Sequence, residues 1–170
     1  MITSLCTAIP LIFLASCGPA QKVEHDPELM VYADRFVAEA RSRSVTIDLS
    51  SVGVRFEPLD DILKGGKCSA QHSTMPVVNI NTHWWKRVTD TRTRENVVFH
   101  ELGHCALKRA HDPTANVILG IPTSIMHPNP LPPPVYAAFR EYYLDELFSH
   151  MGQRKSEAVF DAPSGTINAR

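Results

Sequence analysis

At 170 residues the chain has room for one ordinary domain with some length left for a leader and a tail. Seventeen basic against eighteen acidic side chains leave a net charge of −1, which excludes the basic footprint that a nucleic-acid binder uses to neutralise phosphates. Eight histidines are many for this length, and most fall between His72 and His127.

The chain begins with a stretch, Met1 to Ala20, that carries no charged side chain and runs mostly apolar through "LCTAIPLIFLASC". Pro10 interrupts it, and it is short of the about 20 apolar residues that span a bilayer, so it reads as a secretory leader. Its end, Leu14-Ala15-Ser16-Cys17, resembles a bacterial lipobox. The resemblance implies a signal peptide over residues 1–16, a lipid on Cys17, and a tether over residues 17–26. Gly18 stands where aspartate commonly retains lipoproteins at the inner membrane. The expected location is therefore the cell envelope, at an outer membrane facing the periplasm or at the cell surface. Export leaves Cys68 and Cys105 in the mature domain, and two thiols in an oxidising compartment read as one disulfide. Two buried free thiols, or Cys105 as a metal ligand, are the rival readings.

Pro27 to Arg43 follows with Leu29, Ala33, Phe36, Val37 and Ala40 at the spacing of one buried helical face, placed to cover a sheet. "VTIDL" and "VGVRFEPL", between Val45 and Leu59, alternate apolar and polar residues as half-buried strands do. "GGKCSA" opens with a glycine turn, and "PVVNIN", Pro76 to Asn81, is a further strand. His83, Trp84 and Trp85 start a short helix or turn. Asp90 or Thr91 can cap the next helix, expected from about Arg92 to Leu107 and apolar on nearly every side. Five prolines between Pro128 and Pro134 form an extended connector to a C-terminal helix over Val135 to Met151, with Tyr136, Phe139, Tyr143 and Leu147 on one side. Gly152 ends it, and residues 152–170 are polar enough to expect disorder. The globular domain is thus expected over residues 27–151.

The chemistry concentrates in "HELGHCALKRAH", residues 100–111. In a helix, His100 and His104 project from one face a turn apart, close enough to hold one ion between them. Glu101 is rotated about 100° from His100, out of reach of the ion but within reach of a water bound to it, where a general base belongs. Cys105 lies about 100° from His104 and about 140° from His100, so its sulfur points away from the ion and toward a partner such as Cys68. A catalytic zinc needs a third protein ligand and an open fourth position. His111, seven residues past His104, can supply the third if the chain turns back after Leu107; Asp112 and His127 are the other candidates.

His100, Glu101, His104, His111 and Met126 together resemble the HExxH motif, third histidine and Met-turn of the metzincin metallopeptidases, in the small bacterial lipoprotein form with HELGHC and SIM segments. The likeness covers residues 96–128. It implies an α+β, zincin-like fold: a small twisted mixed sheet with an N-terminal helix, a buried active-site helix, a Met-turn and a C-terminal helix. It also implies one Zn2+ per chain, a peptide or protein substrate, and Met126 as the sulfur-bearing floor beneath the metal. "PVVNIN" is then the expected strand beside the cleft, since metzincins pair an extended substrate with such an edge. The interval from His104 to His111 is one residue longer than in the metzincin pattern, and Leu107 and Lys108 stand where that pattern has a glycine. A non-glycine residue in left-handed conformation there costs on the order of 1 kcal/mol, which metal binding can absorb. The activity expected is zinc-dependent peptide hydrolysis with Glu101 as general base. The alternative is a lipid-anchored envelope binding or structural module that keeps a zinc site without turnover.

Overall fold

The computed structural model describes residues 23–70 and 75–149. The leader, Cys17, Gly18 and the tail from Gly152 lie outside the described residues. The architecture is α+β: four helices around a three-stranded mixed sheet.

Helix α1, Pro27–Ser42, starts where Asp26 accepts a hydrogen bond from the Glu28 amide and Pro27 supplies a φ already suited to the first turn. Its buried face, Leu29, Tyr32, Ala33, Phe36 and Ala40, follows the spacing expected, with Tyr32 added and Val37 only half-buried. That face meets other helices as much as the sheet: the Phe36 ring lies 5.1 Å from Phe99 and 5.1 Å from Phe148, edge to face.

The sheet has β1 (Gly53–Glu57), β2 (Gly66–Ser69) and β3 (Val77–Asn81) in the order β1-β3-β2. Strand β3 pairs parallel with β1 and antiparallel with β2. "PVVNIN" is therefore the central strand, buried over Val78 to Asn81, and not the edge beside the cleft. A strand hydrogen-bonded on both sides has no free backbone groups to offer a ligand. The cleft edge is β2, whose run "GKCS" has too few apolar residues to read as a strand. "VTIDL" is not a strand either. Val45, Ile47 and Leu49 do alternate between half-buried and exposed neighbours and pack on the core, but alternation reports one-sided burial, not pairing. The outer edge of β1 is occupied by the chain ahead of α1, where the Val54 amide donates to the Glu24 carbonyl at 3.0 Å and the Asp26 amide to the Val54 carbonyl at 2.8 Å.

Helix α2, Thr82–Arg87, buries Trp85 against Tyr32 and Phe56. Helix α3, Thr91–Cys105, runs through the middle of the molecule, capped by Asp90, which accepts from the Thr93 amide at 2.7 Å. It ends two residues earlier than its apolar run suggests, because the chain turns there. Helix α4, Pro133–Ser149, closes the other side with Tyr136, Tyr143, Leu144, Leu147 and Phe148 buried, and bends at Phe139 (φ −119°, ψ 24°). Glu95 on α3, only 2 % exposed, joins three helices: Arg35 of α1 and Arg140 of α4 bind its carboxylate at 2.7 and 2.6 Å, and the Tyr136 hydroxyl donates to it at 2.8 Å. Cys68 on β2 and Cys105 at the end of α3 form a disulfide, tying the edge strand to the back of the histidine helix. Among the described residues no helix is long and apolar enough to cross a membrane.

Candidate metal centre

His100 and His104 sit on one face of α3, and their Nε2 atoms lie 3.1 Å apart. His111 reaches the same point from the following loop, with its Nε2 3.3 Å from that of His100. The ligand atoms of the three rings all lie within 4.8 Å of one another, so they can form a metal-binding group. A first-row ion held by imidazoles at about 2.0–2.1 Å in tetrahedral geometry requires nitrogens about 3.3–3.4 Å apart, close to the two short separations.

Each helical ring is oriented by its other nitrogen. His100 Nδ1 contacts the Ile125 carbonyl at 2.8 Å, and His104 Nδ1 the Arg109 carbonyl at 2.7 Å. A carbonyl can only accept, so both Nδ1 atoms carry the proton and both Nε2 lone pairs face the common point. This is the outer-sphere arrangement that ligating histidines use to fix tautomer and ring plane. Burial, together with the neighbouring His104, His111 and Lys64, pushes the His100 pKa down to about 4 despite its bond to Ile125, which keeps the ring neutral at physiological pH. His111 is lowered in the same direction by partial burial and by His104, Lys64 and His127.

The chain reverses after α3 through Lys108, whose φ of +57° is the left-handed conformation that the missing glycine would have taken. Hydrogen bonds hold the turn: the Arg109 amide donates to Gly103 O at 3.0 Å, and Lys108 Nζ to Cys105 O at 2.7 Å. The Asp112 carboxylate accepts from the Thr114 amide at 3.0 Å and from the Thr114 hydroxyl, and it is not among the groups that converge with the rings. His127 Nδ1 accepts from the Asn129 amide at 3.1 Å. Of the three candidates for a third ligand, His111 is the one that joins His100 and His104.

Ser124 to His127 forms a tight turn beneath α3, closed by the His127 amide donating to the Ser124 carbonyl at 3.2 Å. Met126 is fully buried there. A Cβ placed on Gly103 would stand 2.4 Å from Met126 Sδ, so the methionine presses directly on the helix one residue before His104. Sequence reasoning passed over Gly103, although an interior helix glycine costs about 1 kcal/mol against alanine and thereby signals a close neighbour. It also passed over the brace beneath the turn, where the Ser124 hydroxyl bonds Glu146 at 3.0 Å and Arg109 pairs with Glu146 at 2.5 Å.

Glu101 leaves α3 on the side of β2. It is 6 % exposed, and burial pushes its pKa up to about 7 against the opposing effects of Lys64 and of the Cys68 amide that hydrogen-bonds it. Gly66 permits this approach, since a Cβ there would meet Glu101 Cγ at 2.9 Å. The three histidines and Glu101 open onto a cleft of about 850 Å3, with Lys64 to Cys68 on one wall and Pro128 and Pro130 at the rim. That volume is in the range of small-molecule and peptide-subsite pockets. Compared with known proteins, the chain matches no family model, no curated sequence and no solved structure.

Proposed function

We propose that the chain is a zinc-dependent metallopeptidase of metzincin-like, zincin-type architecture, acting in the cell envelope on peptide or protein substrates. The observation that carries the reading is the convergence of three imidazole nitrogens within 4.8 Å of one another beside a buried Glu101, lining an open cleft. Three imidazole ligands suit zinc and leave room for one more ligand, which favours catalysis over a closed structural site.

Zinc held by His100, His104 and His111 would polarise a carbonyl and lower the pKa of a water toward about 7. Glu101, next after His100 on the same helix, would be placed to accept a proton from a water there and to give it to a leaving amine. Burial raises the Glu101 pKa in the metal-free chain, and a cation held by the histidines would lower it again, favouring the carboxylate form that accepts a proton. Ile125 O and Arg109 O hold the two helical rings in their tautomers, and Met126 supports the helix from below. Strand β2 pairs only with β3 within the sheet, so an extended substrate would lie along its other side, the role first expected of "PVVNIN". Cys17 would anchor the domain through lipid.

The test is metal analysis of the purified protein with an unbiased peptide-library digest, before and after chelation. One zinc per chain, cleavage lost on chelation and restored by zinc would support the reading. Zinc retained with no peptide cleaved would favour the envelope binding or structural module instead.

A further inference from the structure

Between Asp112 and His127 the chain runs 14 residues without a charged side chain, "PTANVILGIPTSIM". The middle of this run is a narrow hairpin. Its rungs are Asp112 N to Met126 O at 3.0 Å, Thr123 N to Thr114 O at 3.1 Å, and Asn116 N to Ile121 O at 2.7 Å. At the tip, Val117, Ile118 and Leu119 are 101 %, 91 % and 58 % exposed, three consecutive aliphatic side chains pointing into solvent. Three amides of the tip are satisfied from within. Asn116 Oδ1 accepts from the amides of Ile118 at 3.0 Å and Leu119 at 2.9 Å, and the Gly120 amide donates to Asn116 O at 2.8 Å. Gly120 takes the positive φ, +62°, that the turn requires.

We propose that Val117, Ile118 and Leu119 enter the headgroup–acyl boundary of a lipid bilayer and form a noncovalent contact that orients the domain on the membrane. Isolated exposed hydrophobic residues need no explanation, but three in a row on a projecting tip do. Three residues are far fewer than the roughly 20–30 that each partner gives to a stable protein interface, whereas a bilayer accepts a small convex wedge. Backbone amides entering an apolar layer must bring their hydrogen-bond partners with them, and Asn116 supplies partners for this tip. The apolar leader ending in Leu14-Ala15-Ser16-Cys17 gives the same chain an independent reason to be at a bilayer. The contact is also mechanically joined to the metal centre, because the base of the hairpin carries His111 on one strand and Met126 on the other. From Asp112 to Ile118 the extended chain spans at most about 20 Å, so tip insertion would fix the stand-off of the cleft from the membrane.

The inference does not depend on the peptidase reading, and its test reads no enzymatic activity. The full chain is reconstituted with phosphatidylcholine vesicles carrying acyl-chain bromines ~5–10 Å below the headgroups. Ile118→Trp is compared with Leu63→Trp, an exposed position on the cleft rim, and with the native tryptophans alone. Ile118→Trp should lose about half or more of its added emission and shift to the blue, Leu63→Trp should not, and Val117→Ser with Leu119→Ser in the Ile118→Trp background should reduce the quenching. The tip carries no charge, so quenching should be equal with phosphatidylglycerol and unaffected by salt. Quenching at residue 118 no greater than at residue 63, or a chain that does not associate with the vesicles, overturns the proposal. So does a blue shift that needs no lipid and grows with protein concentration, which would assign the tip to a second copy of the chain.

Discussion

Gly103→Ala isolates the contact between the histidine helix and the turn beneath it. In an ordinary helix interior this change stabilises by about 1 kcal/mol, because alanine has the better propensity. Here the added methyl would stand 2.4 Å from Met126 Sδ and 3.1 Å from Met126 Cε, with Leu147 Cδ1 at 3.4 Å. Met126 has little freedom to retreat: it is fully buried, its amide donates to Ser124 Oγ at 3.0 Å, and its carbonyl accepts from Asp112. Overpacking a rigid site costs ~1–3 kcal/mol, and the absence of an escape route puts this case at the upper end. Set against the propensity gain, the net destabilisation is about 2 kcal/mol, read as a lower urea midpoint of the metal-free protein with unchanged slope. The neighbouring residue, Ile125, orients His100, so zinc affinity should fall by about tenfold or more as well. Met126→Ala should be partly compensated by Gly103→Ala, with a coupling of at least ~1 kcal/mol between them. A Gly103→Ala protein that is more stable than wild type, or two changes that add within ~0.5 kcal/mol, would refute the contact.

Other perturbations reach different parts of the account. His111→Ala should lower zinc affinity and metal-dependent stability together, whereas Asp112→Ala, whose carboxylate serves the Thr114 turn, should leave zinc bound; equilibrium dialysis of the pair decides which residue is the third ligand. Reducing the Cys68–Cys105 disulfide, which closes a loop of 37 residues, should cost about 3–4 kcal/mol in denaturant unfolding, and two free thiols in the unreduced native protein would remove the bridge. Glu95 carries the acid sensitivity of the helix core. Burial alone would raise its pKa, but hydrogen bonds from Arg140, Arg35 and Tyr136 outweigh this and hold it below its ordinary 4.5. A depressed pKa contributes stability above the unfolded value and loses it as pH falls through the folded one, so wild type should weaken progressively below about pH 4.5. Glu95→Gln should flatten that dependence and cost less at pH 7 than the ~3–5 kcal/mol of a fully buried pair, since Arg35 remains 44 % exposed. An unchanged acid limb in Glu95→Gln would contradict the assignment.

The helices were legible because their signals are local: Asp90 as a cap, the spacing of Leu29, Ala33, Phe36 and Ala40, and the His100 and His104 pair with Glu101 beside it. The left-handed residue at the end of α3 could also be anticipated, since an extra residue and a missing glycine had to be accommodated somewhere between Leu107 and His111. The sheet was harder. Which strand is central depends on pairing partners distant in sequence, and burial of Val78 and Ile80 is compatible with either an edge or a centre. Strand β2 was hidden because it carries no apolar alternation, while what holds it, its pairing with β3, the Cys68–Cys105 link and the close approach of Gly66 to α3, involves residues outside its own window. Val45 to Leu49 gave the opposite error, an alternating pattern on a segment whose available neighbour, β1, was already paired with the chain at His25. The Ser124, Arg109 and Glu146 brace joins a loop, a turn and a helix, and no short window of sequence contains it.

The central claim, that these residues form a catalytic and not merely a metal-holding site, rests on separating Glu101 from its histidine neighbours. Glu101→Gln keeps the shape of the side chain and leaves all three imidazoles in place. The account predicts zinc at one ion per chain in wild type and in Glu101→Gln alike, with peptide hydrolysis by the variant reduced by roughly two or more orders of magnitude. Hydrolysis at the wild-type rate in Glu101→Gln would contradict the general-base role, and loss of zinc from that variant would move Glu101 into the ligand set.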